Sequence, residues 1–264
     1  MVENSTFPGW NWEDPEGLSA RMDEFTENIA GCEQIEIIAE SLPRTREELL
    51  AHGLTGLEFA AFKTAHPDGL GTDLVGLHSP RTKTEPGPLY RIDGASRFTQ
   101  LDIGEPLPFA DGSVDWVYAE HLIEHISLPV AIGWLKEVRR VLRPGGLLRL
   151  TTPDLECYIR GYLEERGGFF ARHRRRLRVL KVGPPMPERR AFMMNQIFYH
   201  YGHRWIFDEE ELRYALTSAG FDAESIHRRA FKEGKRSDVA LLDTGFRSDE
   251  TIYLEANIPS GTEN

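Results

Sequence analysis

The alternation of strand and helix between Val114 and Thr151 constrains the fold of this chain most strongly. Val114 to Ala119 is an apolar run of strand length, and a segment with apolar residues at helical spacing follows it. Arg143-Pro-Gly-Gly stops the predicted helix, because proline and paired glycines cannot continue it, and Leu147 to Thr151 is the next strand. Strands joined through a helix pair in parallel, so we predict a mostly parallel sheet covered by helices on both faces.

The same alternation places the remaining elements of the predicted sheet. Leu74 to Leu77, Leu89 to Ile92 and Phe98 to Leu101 are strand candidates before this unit. After it, the pattern predicts a last helix over Glu209 to Gly220 and a last strand over Thr251 to Ala256. The fold class expected from this order is a doubly wound α/β domain.

Two stretches do not follow the alternation. Arg21 to Ser41 has apolar residues at helical spacing, and Pro43-Arg-Thr-Arg-Glu-Glu-Leu-Leu opens another helical turn, so residues 1–55 are predicted as an N-terminal helical extension. Residues 56–264 then form the α/β domain. Within it, residues 155–205 are predicted as a helical lid insertion, because an insertion after a strand end commonly lies over the site.

Composition restricts the environment and the partners. The 264 residues carry a net charge of -11, which disfavours binding to nucleic acid. No apolar run approaches the roughly 20 residues of a membrane span, and the acidic start lacks the features of a secretory signal. We therefore expect a soluble, cytoplasmic protein with no membrane partner; the sequence leaves its oligomeric state open, a homo-oligomer included.

Four ordered motifs carry a resemblance to a known family. They are DIGEPLPFADGSVDWVYAEHLIEH from Asp102, LKEVRRVLRPGGLLRL from Leu135 continued by TPDL from Thr152, GHRWIFD from Gly202, and Leu212 to Phe221 with its AGF ending. Together they resemble class I S-adenosylmethionine-dependent methyltransferases. The resemblance implies a Rossmann-like methyltransferase fold whose last strand is antiparallel, S-adenosylmethionine as the cofactor, and ligand binding at the carboxyl ends of the strands.

The resemblance implies cofactor contacts at two strand ends. Asp93 corresponds to the acidic residue that accepts hydrogen bonds from both ribose hydroxyls; the alternative is a turn aspartate before Gly94. Asp102 and Ile103 lie where the family contacts adenine, the carboxylate accepting from the exocyclic amine while a backbone N–H faces a ring nitrogen. The alternative for Asp102 is a turn residue.

Further site residues follow from the end of the fourth predicted strand and from the insertion. Ala119, Glu120 and His121 lie where the family places the methionine part of the cofactor and a substrate-facing side chain. His121, His200 and His203 are candidate catalytic residues, because histidine is the usual general base for deprotonating a hydroxyl. A structural hydrogen-bonding role is the alternative for the two insertion histidines.

One short pattern points to a different chemistry. His121-Leu-Ile-Glu124-His125 has the form H-x-x-E-H of the inverted zinc-protease motif. Here it begins at a strand end, and no third ligand on a downstream helix presents itself. We therefore interpret it as a cofactor-side or packing element and predict no metal site.

The glycine-rich turn that opens this family is missing. One placement puts it at Leu74-Val-Gly-Leu-His-Ser-Pro, where His78 occupies a position that is glycine in the family. In this placement His78 is a candidate cofactor-binding residue. The other is Gly56-Leu-Glu-Phe-Ala-Ala-Phe, which keeps an acidic residue and small alanines but leaves a long gap to Asp93. Spacing favours the first.

The predicted function is methyl transfer from S-adenosylmethionine to a small molecule, a sugar or a secondary metabolite. The alternative is a repurposed fold, either a non-catalytic binding protein or an enzyme of a different reaction, because fold does not imply function. The sequence does not specify the substrate or the atom methylated.

Overall fold

The structure, a computed structural model, describes residues 27–61, 63–164, 168–179 and 186–260. Its central sheet follows the predicted alternation of strand and helix. Nine strands form it within the described residues, in the order β1, β4, β5, β3, β2, β6, β7, β9, β8. The strands are β1 Ile35–Ala39, β2 Gly56–Phe59, β3 Gly69–Asp73, β4 Leu89–Ile92, β5 Ser96–Gln100, β6 Val114–Glu120, β7 Leu142–Pro153, β8 Ile226–Arg229 and β9 Thr251–Asn257.

Five neighbouring strands, β5, β3, β2, β6 and β7, run parallel at the centre of the sheet. Beyond them, β9 is antiparallel to both β7 and β8. The predicted α/β class, with a mostly parallel sheet and an antiparallel last strand near one edge, is confirmed. Strand order reverses at β2, so the carboxyl ends of the parallel strands flank a natural ligand crevice there.

The helices of the described chain are α1 Arg46–Ala51, α2 Leu128–Val141, α3 Leu155–Leu163, α4 Phe169–Val179, α5 Arg190–Tyr199, α6 Glu209–Ser218 and α7 Ser237–Ala240. The helix α2 buries Ala131, Trp134, Leu135 and Val138, which recur every three or four residues. Together with α1 and α6 it covers one face of the sheet in an apolar core. None of the described helices has the length and apolarity needed to cross a bilayer.

Several local predictions are wrong. Ile35–Ala39, expected within a helix, is a strand that pairs with β4, although the predicted turn after Pro43 is the helix α1, capped by Thr45. Leu74 to Leu77 is not a strand; the strand ends at Asp73. The strand β4 is antiparallel to both of its neighbours. The rest of the predicted N-terminal helix, up to residue 26, lies outside the described residues.

The insertion contains α3, α4 and α5, which share a small core of their own around Tyr158, Phe169 and Met193. It is tied to the sheet at one edge. The backbone N–H of Arg204 donates to the carbonyl of Glu124 just after β6, and Tyr158 donates to Glu250 just before β9. Because β9 is antiparallel, its start lies beside the end of β7, so the insertion packs on the carboxyl edge of the parallel strands.

Candidate active site

A cleft of about 480 Å³ opens at the carboxyl ends of four parallel strands. Its walls come from the residues that follow β2, β3, β5 and β6, among them Ala60, Asp73, Asp102 and Leu122. Arg204 contributes from the end of the insertion. The volume lies in the range of small-molecule sites, about 300 to 1,000 Å³.

Two carboxylates face this cleft from neighbouring strands. Asp73 ends β3; its Oδ1 accepts a hydrogen bond from the backbone N–H of Val75 at 3.0 Å, and burial raises the pKa of this carboxyl group. Asp102 follows β5, and its Oδ1 accepts from the N–H of Gly104 at 2.8 Å. Short turns thus hold both side chains at adjacent strand ends, beside the apolar Leu74 and Ile103.

The turn after β2 contributes Ala60 to the cleft and has an unusual backbone conformation. Ala60 has a φ of 54°, in the left-handed region that favours glycine. Glu58, two residues earlier, is 3% exposed and accepts hydrogen bonds from the N–H groups of Ala65 and His66. Burial raises the pKa of Glu58 to about 7. The second placement, at Gly56, thus coincides with the end of a central parallel strand, whereas Leu74 to Leu77, the preferred placement, is not a strand.

A group of histidines surrounds a buried carboxylate beside the cleft. Glu124 is fully buried; its Oε2 accepts from the Thr152 hydroxyl at 3.0 Å, and its Oε1 lies 3.2 Å from Nδ1 of His121. The rings of His125 and His203 meet edge to face, with centroids 4.8 Å apart. Burial alone would raise the pKa of Glu124, but the neighbouring imidazoles lower it to about 2. Desolvation lowers the pKa of His125 to about 4 and also lowers that of His203.

Asp93 and His78 lie away from the cleft. Asp93 sits in a left-handed turn after the antiparallel β4, where it accepts from the N–H groups of Glu33 and Gln34 and pairs with Lys63 at 2.8 Å. His78 contacts the carbonyl of Glu27 through Nε2 at 2.9 Å. The prediction that Asp93 ends a parallel strand is wrong, because β3 is the second parallel strand and Asp73 ends it.

Of the other predicted cofactor residues, only Asp102 and Ile103 line the cleft. Ala119 is fully buried in the core between the sheet and the helices. Glu120 points elsewhere: its carboxylate accepts from the N–H and the hydroxyl of Thr244, both at 3.0 Å. His121 is 8% exposed, bonds through Nε2 to the Thr251 hydroxyl at 2.9 Å, and is not among the residues that line the cleft.

The two insertion histidines, His200 and His203, have different surroundings. His200 ends α5 and packs against Phe192, with ring centroids 5.4 Å apart. His203 lies closer to the cleft, through its contact with His125. The H-x-x-E-H pattern does not lie on one helix face, because Ile123–His125 is a single 3-10 turn.

Three residues that line the cleft were not among the predicted site residues: Asp73, His125 and Arg204. A signal for Asp73 was available, since an acidic residue ends the short run Gly-Leu-Gly-Thr-Asp at a suitable distance after Gly56. That run is poor in large apolar residues and does not have the pattern of a buried strand. The approach of Arg204 and His203 to His125 depends on folding of the insertion, and no local pattern indicates it.

Comparison with known proteins agrees with this geometry. Residues 55–150 match the family model described as a methyltransferase domain. An uncharacterized methyltransferase of Mycobacterium sp. (strain KMS) is 35% identical over 112 residues, 42% of this chain and 40% of that protein. One of Mycolicibacterium gilvum (strain PYR-GCK) is 36% identical over 103 residues, 38% of this chain and 36% of that protein. The chain thus spans about two fifths of the length of the curated relatives it matches.

Solved structures with a similar arrangement have low sequence identity to this chain. A SAM-dependent methyltransferase of Thermotoga maritima is 16% identical, with a TM-score of 0.41 over 77% of this chain and 81% of that one. One of Archaeoglobus fulgidus is 11% identical, with a TM-score of 0.41 over 92% and 94%. Over residues 55–150 the chain is similar to the methyltransferase domain family, and the sequence relatives are named as methyltransferases. S-adenosylmethionine is the cofactor of that family, and the family is one of transferase enzymes.

Proposed function

We propose that this chain binds S-adenosylmethionine in the cleft and transfers its methyl group to a small molecule, a sugar or a secondary metabolite. The observation that carries the proposal is the convergence of Asp73 and Asp102, from neighbouring parallel strands, on one cleft at the reversal of strand order. The family match supports the cofactor.

The donors and acceptors of the cleft suit a nucleoside. A carboxylate at the position of Asp73 can accept hydrogen bonds from both hydroxyls of a ribose. The Asp102 carboxylate can accept from an exocyclic amine, and the described hydrogen bonds leave its Oδ2 without a protein donor. Leu74, 61% exposed in the cleft wall, and Ile103 offer apolar surfaces for a planar ring.

The far wall of the cleft, at His125 and Arg204, then receives the methyl acceptor. When bound, S-adenosylmethionine would supply a methyl group on a sulfonium to an acceptor held at this wall, and the proton that a hydroxyl or amine acceptor loses would pass to solvent. Desolvation lowers the pKa of His125, so this imidazole is a weak general base. We therefore attribute the catalysis mainly to positioning of the acceptor in line with the C–S bond.

Calorimetric titration with S-adenosylhomocysteine tests the proposal. Asp73→Ala should weaken binding by about 10- to 150-fold, since a hydrogen bond to a charged group is worth about 1.5 to 3 kcal/mol. Asp102→Ala should act in the same direction but less strongly, because the backbone N–H of Ile103 remains. Asp93→Ala is the matched control; this aspartate pairs with Lys63 outside the cleft, so binding should be unchanged. A loss of binding in Asp93→Ala but not in Asp73→Ala would contradict the assignment.

A non-catalytic binding protein is the second candidate, and the turn after β2 favours it. Ala60 replaces a glycine, and the described residues between β2 and β3 contain no helix whose N-terminus could face an anion. If the wild-type chain bound no S-adenosylhomocysteine at millimolar concentration, this second candidate would replace the first.

A further inference from the structure

We propose that Glu124, His125 and His203 form a binding site for one divalent first-row transition metal ion at the wall of the cleft. The proposal goes beyond methyl transfer and does not depend on it. The three ligand atoms, one carboxylate oxygen and two imidazole nitrogens, all lie within 4.8 Å of one another.

The tautomer of His203 leaves the correct nitrogen available. Its Nδ1 lies 2.6 Å from the backbone carbonyl of Ile197, and a carbonyl can only accept a hydrogen bond, so Nδ1 carries the proton. Nε2 therefore presents a lone pair. Metal-binding histidines are commonly oriented in this way, with the second ring nitrogen donating to a carbonyl or carboxylate.

The carboxylate of Glu124 is held by partners of its own. Thr152 donates to Oε2, and His121, anchored at its other nitrogen by Thr251, lies 3.2 Å from Oε1. Among the described residues, Nδ1 of His121 approaches Oε1 but does not meet it in good hydrogen-bond geometry, although the Glu124 side chain is fully buried. Such outer partners orient the ligands of a metal site and raise its affinity.

The backbone keeps the two ligand-bearing segments together. The N–H groups of Arg204 and Trp205 donate to the carbonyl of Glu124 at 2.7 and 3.2 Å, which joins the end of the insertion to the turn after β6. The distances need only a small adjustment, since metal bonds of about 2.1 Å place tetrahedral ligand atoms about 3.4 Å apart. His125 is exposed and can rotate to close the difference.

The donor set specifies the class of ion. Two imidazoles and one carboxylate suit Zn²⁺, Fe²⁺ and similar ions better than Mg²⁺ or Ca²⁺, which prefer oxygen ligands. Three protein ligands leave a coordination position open. Because His125 also lines the cleft, that position would face whatever the cleft holds.

Titration of the full chain with Zn²⁺ tests the proposal, using protein without a histidine tag that has been stripped with a chelator and dialysed. We expect one Zn²⁺ per chain and a higher Tm in its presence. His125→Ala and His203→Gln should each weaken binding by at least about 10-fold and reduce the Tm shift. The matched control is His227→Ala, an exposed histidine of β8, which should bind like the wild type.

Binding of Co²⁺ provides a second measurement, because the visible absorption spectrum of bound Co²⁺ depends on its ligands. This spectrum should change in the His125→Ala variant. His125 is exposed, so its replacement should leave the fold intact, which circular dichroism can verify. If the wild type and the double variant His125→Ala/His203→Gln bound Zn²⁺ equally, or if His227→Ala lost as much affinity as His125→Ala, the cluster would be a structural ion-pair network instead.

Discussion

Adjacent residues of β7 show how differently the two faces of the sheet are built. Leu148 is fully buried among apolar side chains of the sheet and of α1, α2 and α6. The next residue, Arg149, is also fully buried, but on the opposite face, where its guanidinium bonds to Asp243 at 2.5 Å and to Glu255 at 3.1 Å. One face is thus held by helices through apolar contact, and the other by buried charges.

The covering of the polar face is irregular. Residues 230–245, with the single short helix α7, supply carbonyl groups of Ala230 and Glu233 to Arg149, while Val239 packs on Trp116 and Tyr118. Near β3, glycine allows the chain to lie directly on the sheet, since a Cβ on Gly71 would come within 2.9 Å of the Ala61 carbonyl. Burial on this face therefore requires hydrogen-bonding and charged partners for each polar group, whereas burial on the other face requires apolar side chains of matching volume and shape.

The largest effect expected from this comparison is at Arg149. Arg149→Ala should lower the free energy of unfolding by about 3 to 5 kcal/mol, because it removes the guanidinium shared by two buried carboxylates and leaves Asp243 with no cationic partner among the described ion pairs. Leu148→Ala, the neighbouring control, should cost about 2 to 5 kcal/mol through the cavity it creates. Urea denaturation measures both.

Adding Asp243→Ala separates the two mechanisms. On the polar face, Arg149→Ala/Asp243→Ala should be no less stable than Arg149→Ala alone, because the second change removes an uncompensated charge. Strictly additive losses from Arg149→Ala and Asp243→Ala would mean that the polar face is held by packing like the other one.

The apolar face was predictable from the sequence, and the polar face was not. The strand, helix and strand from Val114 to Thr151 have local periodicities, and the structure has β6, α2 and β7 there. In the sequence, Arg149 is a polar residue within a predicted strand, and its partner Asp243 lies 94 residues further along the chain. No local pattern contains such a contact.

The candidate site divides in the same way. Asp102 and Ile103 were placed by an extended motif, and both line the cleft. Asp73 was missed because β3 is built from small residues, Gly69 and Gly71 among them, that the loop after β2 requires. Choosing the wrong strand displaced the prediction to Asp93, and the approach of His203 to His125 became visible only with the folded insertion.

A second prediction concerns the pH dependence that the polar face gives to stability. Glu58 has a pKa of about 7 in the folded chain, raised by burial from its ordinary 4.5, so the folded state binds the proton more tightly than the unfolded state. Stability should therefore fall as pH rises from about 5 to 7 and then level off, by about 2 to 3 kcal/mol in total. Glu58→Gln should remove this loss, as measured by urea denaturation at pH 5 and pH 8. Parallel pH profiles for the wild type and Glu58→Gln would show that the carboxyl group is not desolvated.

The smallest effect is expected at Ala60, where the chain turns from β2 towards the polar face. A left-handed backbone destabilises the folded state by about 1 to 2 kcal/mol when the residue has a Cβ. Glycine avoids this strain but lowers the free energy of unfolding by about 0.4 to 1 kcal/mol, because it gives the unfolded chain more conformational freedom. Ala60→Gly should therefore raise the free energy of unfolding by up to about 1 kcal/mol. Ala95→Gly is the matched control, an exposed turn alanine whose φ is not positive, and it should lower stability by about 0.4 to 1 kcal/mol. Thermal unfolding monitored by circular dichroism has the precision needed for this pair. If Ala60→Gly were destabilising to the same degree as Ala95→Gly, the turn would not be strained, and the left-handed backbone at Ala60 would not lower the stability of the fold.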